Sequence, residues 1–223
     1  MSRTPRLTRV VGKGLIKAYG PTVALRGVNV TIELGKLLVI EGANGSGKST
    51  LLGILGTVIK PTAGRVLYEP LGDDLLAVRA EIGWVSHETM AYPDLSGRKN
   101  VELAARLVGL DANEAWTRAA ARFELGAFAE RPVRTYSRGQ RQRIALARAL
   151  THEPSLVLLD EPTTGLDKAG VTRLLAVVDE EVARGAAVVV VSHEPELFRE
   201  RAGARLVLDR GRVATAETIQ AGA

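Results

Sequence analysis

The sequence predicts an α/β fold on a mainly parallel sheet, with antiparallel strands before it and a block of helices inserted within it. Three observations carry that prediction. Leu37-Leu38-Val39-Ile40, Leu156-Val157-Leu158-Leu159 and Val188-Val189-Val190-Val191 are unbroken apolar runs, as expected of strands covered on both faces. Between the last two, Val171, Leu174, Leu175, Val178 and Val182 recur at i, i+3, i+4, i+7 and i+11, which lays one apolar stripe along a helix. From about residue 88 to 150 the composition shifts to helix formers punctuated by capping residues.

In chain order, Val28, Val30, Ile32 and Leu34 alternate with Asn29, Thr31 and Glu33. That is the period of a half-buried strand, so antiparallel strands open the chain. Tyr19 stands before Gly20-Pro21 and suits stacking on an adenine ring as well as it suits a core or surface position. After Gly35-Lys36, the first apolar run leads into Gly42-Ala43-Asn44-Gly45-Ser46-Gly47-Lys48-Ser49-Thr50, and Leu51-Leu52-Gly53-Ile54-Leu55 continues as a helix. A G-x-x-x-x-G-K-[ST] match between a buried strand and a helix is a P-loop. Its glycines expose backbone N–H groups, and the helix start adds a positive field, together a nest for the β- and γ-phosphates of a nucleotide. Lys48 adds a cation on those phosphates, and the Ser49 hydroxyl is placed to ligate Mg²⁺.

A turn at Pro61-Thr62-Ala63-Gly64 precedes a short strand at 65–68, and another strand at 82–85 ends in Ser86-His87-Glu88. Ser96 caps a helix running to about Val108 and stopped by Gly109, and Asp111 with Glu114 forms the capping box of a helix ending near Gly126. Residues 130–148 hold six arginines against one acid. Within them Ser137 is an N-cap and Gln140 its box partner, so this helix start attracts anions, or is simply an ordinary capped basic helix. The second apolar run ends in Asp160-Glu161. Ligands bind at the carboxyl edge of such sheets, so Asp160 suits Mg²⁺ through water and Glu161 suits orienting the attacking water. Gly165-Leu166-Asp167 leads into the striped helix, which Gly185 closes. The third run ends at Ser192-His193, at the same sheet edge, where His193 reads as a γ-phosphate contact. A hairpin at 205–209 and 212–215 turns at Arg210-Gly211.

At 223 residues and 46% apolar, the chain fits one domain, 1–223. Its longest purely apolar stretch, 186–191, is far short of the roughly 18–20 residues of a membrane span, and no apolar secretory segment follows Met1. Zero cysteines exclude a disulfide scaffold and a thiolate metal site. The net charge of +5 is uneven: Arg3, Arg6, Arg9, Lys13, Lys17 and Arg26 all precede the first acid, Glu33. This basic start reads as a solvated face, with phosphate, anionic lipid or nucleic acid as the other partners it would suit.

Tyr19, the P-loop, the helical insert, Ser-x-Gly-Gln, Asp160-Glu161, Gly-Leu-Asp and His193 come in one order over essentially the whole chain. This series resembles the nucleotide-binding domain of ABC transporters. The resemblance implies a P-loop NTPase core of the RecA-like kind with an N-terminal antiparallel β subdomain and a helical subdomain at about 88–150. It makes Tyr19 the A-loop aromatic and 42–50 the Walker A segment, with Lys48 on the phosphates. Tyr136 to Gln140 becomes the signature, with Ser137, Gly139 and Gln140 reaching a nucleotide. Asp160 and Glu161 are then Walker B and the catalytic glutamate, 165–167 the D-loop with Asp167 at the nucleotide, and His193 the switch histidine.

Two departures stand out. His87 occupies the place of a Q-loop glutamine and offers no amide oxygen to Mg²⁺. The signature reads Tyr136-Ser137-Arg138-Gly139-Gln140, keeping Ser137 and Gly139 and adding the charge of Arg138. These departures, with 85–89 and 133–139, are similar to the ATP-binding subunit of the haem exporter used in cytochrome c maturation; a general ABC exporter subunit is the alternative. The family resemblance implies ATP and Mg²⁺ as cofactors and hydrolysis of ATP to ADP and phosphate. As partners it implies a second copy in a head-to-tail dimer and integral membrane subunits docking near His87 and the helical insert. The place implied is the cytoplasmic side of the cell membrane, with no nucleic acid as partner. A soluble ABC ATPase working on DNA or ribosomes, and a cassette that binds ATP without cleaving it, are the rival readings.

Overall fold

The apolar runs become the middle of one sheet because each strand has a core on both sides. The computed structural model describes residues 6–86 and 90–218. In order they form β1 (Arg9–Tyr19), β2 (Thr22–Glu33), β3 (Leu37–Glu41), α1 (Lys48–Leu55), β4 (Ala63–Glu69), α2 (Leu75–Arg79), β5 (Ile82–Val85), α3 (Gly97–Leu107), α4 (Ala112–Arg122), α5 (Arg138–Leu150), β6 (Leu156–Asp160), α6 (Lys168–Ala183), β7 (Ala187–Val191), β8 (Ala204–Asp209) and β9 (Arg212–Thr218). Short 3-10 turns lie at Ala127–Glu130, Val133–Thr135 and Pro195–Arg201.

The larger sheet has the order β5-β6-β7-β3-β8-β9, parallel from β5 to β8 and closed by the antiparallel β8–β9 hairpin. Its side chains alternate between two cores. Leu37, Val39, Val157, Leu159, Val188 and Val190 join Val101 of α3, Ile144 of α5 and Leu174 of α6. Leu38, Ile40, Leu156, Leu158, Val189 and Val191 join Leu51, Leu52 and Leu55 of α1 and, from the second sheet, Val10, Leu25 and Val28. Two-sided burial is why these strands show no polar alternation.

The second sheet, β2-β1-β4, is antiparallel throughout. The pairing of β1 slips between Gly12 and Leu15, and Gly14 takes a φ of 58° there while its N–H donates to Asn29 Oδ1 at 2.7 Å. This bulge breaks the period of β1 and hides the bounds of that strand from a reading of the sequence.

The structure moves two expected boundaries, one in the helical insert and one in the final hairpin. Ser96 caps α3 through the Lys99 N–H, as read. Asp111 takes the N–H groups of Asn113 and Glu114 on one oxygen, but α4 stops at Arg122 instead of near Gly126. The chain leaves the helix there because Glu124 turns left-handed, φ 51°, and a 3-10 turn follows. The final hairpin extends to Thr218, beyond the expected 215.

Candidate active site

β7 lies between β6 and β3, with Asp160 and Ile40 both paired in register with Val191. The ends of these three strands therefore emerge side by side at one carboxyl edge, which gathers Lys48 at the start of α1, Asp160 at the end of β6, and Glu161 and His193 just beyond their strands.

The loop after β3 needs glycine at particular places. Gly42, Gly45 and Gly47 hold φ of 145°, 77° and 104°. A Cβ on Gly42 would fall on Leu208 O and Ser46 Oγ, and one on Gly47 on Ala24 O, so the backbone itself is packed between neighbouring strands. The turn is pinned by the last hairpin: Gly211 N donates to Ser46 O at 3.0 Å, and Arg26 N to Gly211 O at 2.8 Å. Gly47 is the N-cap of α1 and no side chain caps that helix, which leaves its first N–H groups for an anion. Lys48 Nζ crosses the loop, donating to Gly42 O at 2.7 Å and Ala43 O at 3.1 Å. Ser46 Oγ is buried without a hydrogen-bond partner among the described residues. The donors and the cation converge on a cleft of about 470 Å³ lined by Ala24, Lys48, Ser49, Asp160, Glu161 and His193, with Asn44, Gly45, Gly47 and Thr50 completing its wall.

The carboxylates are held from two sides. Ser49 donates its hydroxyl to Asp160 Oδ1 at 3.2 Å. Glu161 has a φ of 51°, a left-handed conformation costing a non-glycine residue about 1–2 kcal/mol. Its N–H donates to Val191 O at 2.9 Å, its Oε2 accepts the His193 N–H at 3.1 Å, and its Oε1 lies 3.1 Å from His193 Nε2. Glu161 is thus tied to the end of β7 through both carboxylate oxygens and its own backbone.

Other predicted residues lie away from this cleft within the chain. Ser137 caps α5 in a complete capping box with Gln140, and Asp167 caps α6 by accepting the Gly170 N–H at 2.7 Å. Gly139 lines a separate cleft between α5 and α6. Tyr19 is 48% exposed at the end of β1, with Lys17 Nζ 4.9 Å from its ring centre, and it does not line the P-loop cleft. His87 lies outside the described residues. A second cleft, of about 700 Å³, meets the first at Asp160 and Glu161 and is lined further by Ser86, Arg134, Arg138, Arg141 and Gln142.

Three contributions were not read from the sequence. Ala24 backs Gly47, Leu208 and Gly211 seat the P-loop, and Gln142 Nε2 donates to Pro162 O at 2.9 Å, just behind Glu161. The hairpin and the basic helix were legible as elements, but no local signal says what they touch.

Residues 25–164 match the family model described as ABC transporter. The chain belongs to that family. It is the ATP-binding subunit of an ABC transporter and an ATPase. The daunorubicin resistance ATP-binding protein DrrA3 of Streptomyces coeruleorubidus is 37% identical over 96% of this chain and 70% of its own length. The cytochrome c biogenesis ATP-binding export protein CcmA 2 of Cupriavidus metallidurans is 36% identical over 86% of this chain and 92% of its own. The pyoverdine export ATP-binding/permease protein PvdT of Pseudomonas savastanoi pv. phaseolicola is 37% identical, and the chain spans only 30% of its length. Among solved structures, the dimeric post-hydrolysis state of the ATP-binding cassette MJ0796, bound to ADP and Pi, superposes with a TM-score of 0.85 at 32% identity, over 95% of this chain and 99% of that one. The mainly parallel α/β core of this ABC cassette, with its antiparallel sheet and helical insert, is thus a family property as well as a reading of its pattern.

Proposed function

We propose that this chain, as a single cassette over 1–223, binds MgATP in the P-loop cleft and hydrolyses it only when a second copy closes over the nucleotide. The observation that supports this reading is the convergence of Lys48, Ser49, Asp160, Glu161 and His193 on one cleft at one sheet edge. The α1 N-terminus and Lys48 hold the β- and γ-phosphates. Ser49 and Asp160 offer a hydroxyl and a carboxylate oxygen already in contact, a donor set that fits a hard divalent cation. They would hold Mg²⁺, whose contribution is to neutralise phosphate charge. Glu161 takes the proton of the attacking water, and His193 orients Glu161 and faces the γ-phosphate. Preorganised donors stabilise the charge that spreads over the transferred group. Ser137 and Gly139 lie apart from the P-loop cleft of their own chain, and in the proposed head-to-tail dimer they complete the partner's site, with Gln140, Asp167 and the ring of Tyr19 as further nucleotide contacts.

The membrane subunits dock beside the helical insert. A groove of about 240 Å³ there is lined by Trp84, Met90, Leu107, Val108 and Arg148. Leu107 and Met90 are exposed, and among the described residues Trp84 Nε1 and Arg148 Nε are buried without acceptors. An apolar partner segment carrying an acceptor suits these walls. No helix among the described residues is long and apolar enough to cross a membrane; in this reading the spans belong to the membrane subunits, and the cassette works peripherally on the cytoplasmic side. The basic start of the chain is partly engaged, with Arg9 paired to Glu69 and Lys17 donating to Lys60 O, which favours this over a nucleic-acid role.

Haem export for cytochrome c biogenesis is the finer proposal, supported by the similarity at 85–89 and 133–139 and by the CcmA 2 relative, which this chain matches over 92% of its length. Deleting the gene and recording c-type haem absorbance of membranes tests it, together with identification of the membrane proteins that co-purify. Loss of that absorbance with membrane partners recovered supports the proposal. Unchanged absorbance overturns haem export and leaves a general ABC exporter subunit.

A further inference from the structure

The start of α5 touches the segment behind Glu161 at two points. One is the Gln142–Pro162 hydrogen bond. The other is Arg138, which lies across Gly165: a Cβ built on Gly165 would fall on the Nε, Cζ and Nη1 atoms of that guanidinium. Gly165 also holds a φ of 68°, so a side chain here is strained by conformation and would displace the Arg138 guanidinium from the turn. Between these contacts the chain is tightly turned. Thr164 N donates to Glu161 O at 3.2 Å and Leu166 N to Thr163 O at 3.1 Å. Leu166 then packs on the core and Asp167 caps α6. A shift at Gly165 has little slack to absorb it before it reaches Glu161 on one side and Asp167 on the other.

Among the described residues the Arg138 side chain has no hydrogen-bond or ion-pair partner. Its hold on the turn is therefore packing of a flat group on bare backbone, not charge pairing. We infer that Arg138 is a positioning residue for hydrolysis: by packing on Gly165 it fixes the 162–165 turn, and through it Glu161, against the first turn of α5. The capped helix start at Ser137 and the catalytic carboxylate then move as one block. This rests on Glu161 being the group that activates water.

The test compares phosphate release and nucleotide affinity in Arg138→Ala, Arg138→Lys, Arg138→Gly, Gly165→Ala and the Arg138→Gly/Gly165→Ala double variant. Arg138→Ala is expected to lower kcat about tenfold with KM for ATP within about twofold, a split that general destabilisation would not give. Arg138→Lys is expected to fail to rescue, since an ammonium keeps the charge but cannot lie flat on the turn. The loss of kcat on Gly165→Ala should be at least about fivefold smaller in the Arg138→Gly background, where the new methyl no longer meets the guanidinium. Full turnover in Arg138→Lys, or an equal Gly165→Ala effect in both backgrounds, overturns the inference. Glu161→Gln measured alongside keeps the two ideas apart. If it is inactive while Arg138→Ala is normal, the positioning role alone falls; if it turns over normally, the role of Glu161 falls whatever Arg138→Ala does.

Discussion

Glu161→Gln separates charge from geometry at a carboxylate held through both oxygens and its own backbone. Gln has the same stem as Glu, so the left-handed φ of 51° costs both residues alike. Its side-chain oxygen can still accept the His193 N–H that Glu161 Oε2 takes at 3.1 Å. What disappears is the anion that receives the water proton. General-base catalysis contributes about 10²–10⁴ in rate, which corresponds to about 3–5 kcal/mol on the barrier. Phosphate release at saturating ATP should therefore fall at least about a hundredfold, while calorimetry shows nucleotide affinity within about twofold of the parent. Because binding survives and cleavage does not, gel filtration with ATP should show a dimer that persists. A kcat within about threefold of the parent would refute the assignment, and so would loss of nucleotide binding.

Lys48→Ala removes the cation that crosses the P-loop; charge-assisted hydrogen bonds contribute about 1.5–3 kcal/mol, so calorimetry should show affinity reduced about tenfold to a hundredfold, and unchanged affinity counts against the phosphate role. Ser137→Arg and Lys48→Ala, each inactive alone, should recover roughly a quarter of parental turnover when mixed, since random pairing leaves one intact site in each mixed dimer; no recovery refutes the head-to-tail site. Leu107, 75% exposed in the groove beside the insert, predicts that Leu107→Glu loses its membrane partners on co-purification while isolated ATPase activity stays within about twofold, and retention of those partners would place docking elsewhere. Phe198, fully buried in the core that the larger sheet shares with α5 and α6, predicts a loss of about 3–5 kcal/mol on Phe198→Ala, readable in denaturant unfolding; a cost under about 1 kcal/mol would mean that this core refills.

The parts of the fold that announced themselves were those whose chemistry is local. Two-sided burial leaves continuous apolar runs at β3, β6 and β7, and the P-loop motif sits within one turn of α1. The caps Ser96, Asp111 and Ser137 lie within three residues of what they bond. The bounds of β1 escaped because its bulge at Gly12 to Leu15 breaks the alternation, and α2 escaped because five residues are too few to show a helical period. Within the site, the residue types at 48, 160, 161 and 193 were legible, but the Glu161–His193 contact joins two strands that only the sheet order makes neighbours. Arg138 was legible as an added charge; that it lies on Gly165 depends on the approach of α5 to a loop that no spacing rule reaches.

The seat of the P-loop on the last hairpin has a consequence for biosynthesis. The motif 42–50 leaves the ribosome early, yet Gly42 packs against Leu208 O and Ser46 O is bonded by Gly211. Contacts so distant in sequence close late, and a growing chain orders first what it has already made. A nascent chain that has reached β7 therefore carries every residue of the phosphate loop without the scaffold that shapes it. The seat of the loop is complete only once the β8–β9 turn has folded back onto it, so a chain truncated before Gly211 is expected to keep the full motif and lack the contacts that shape it.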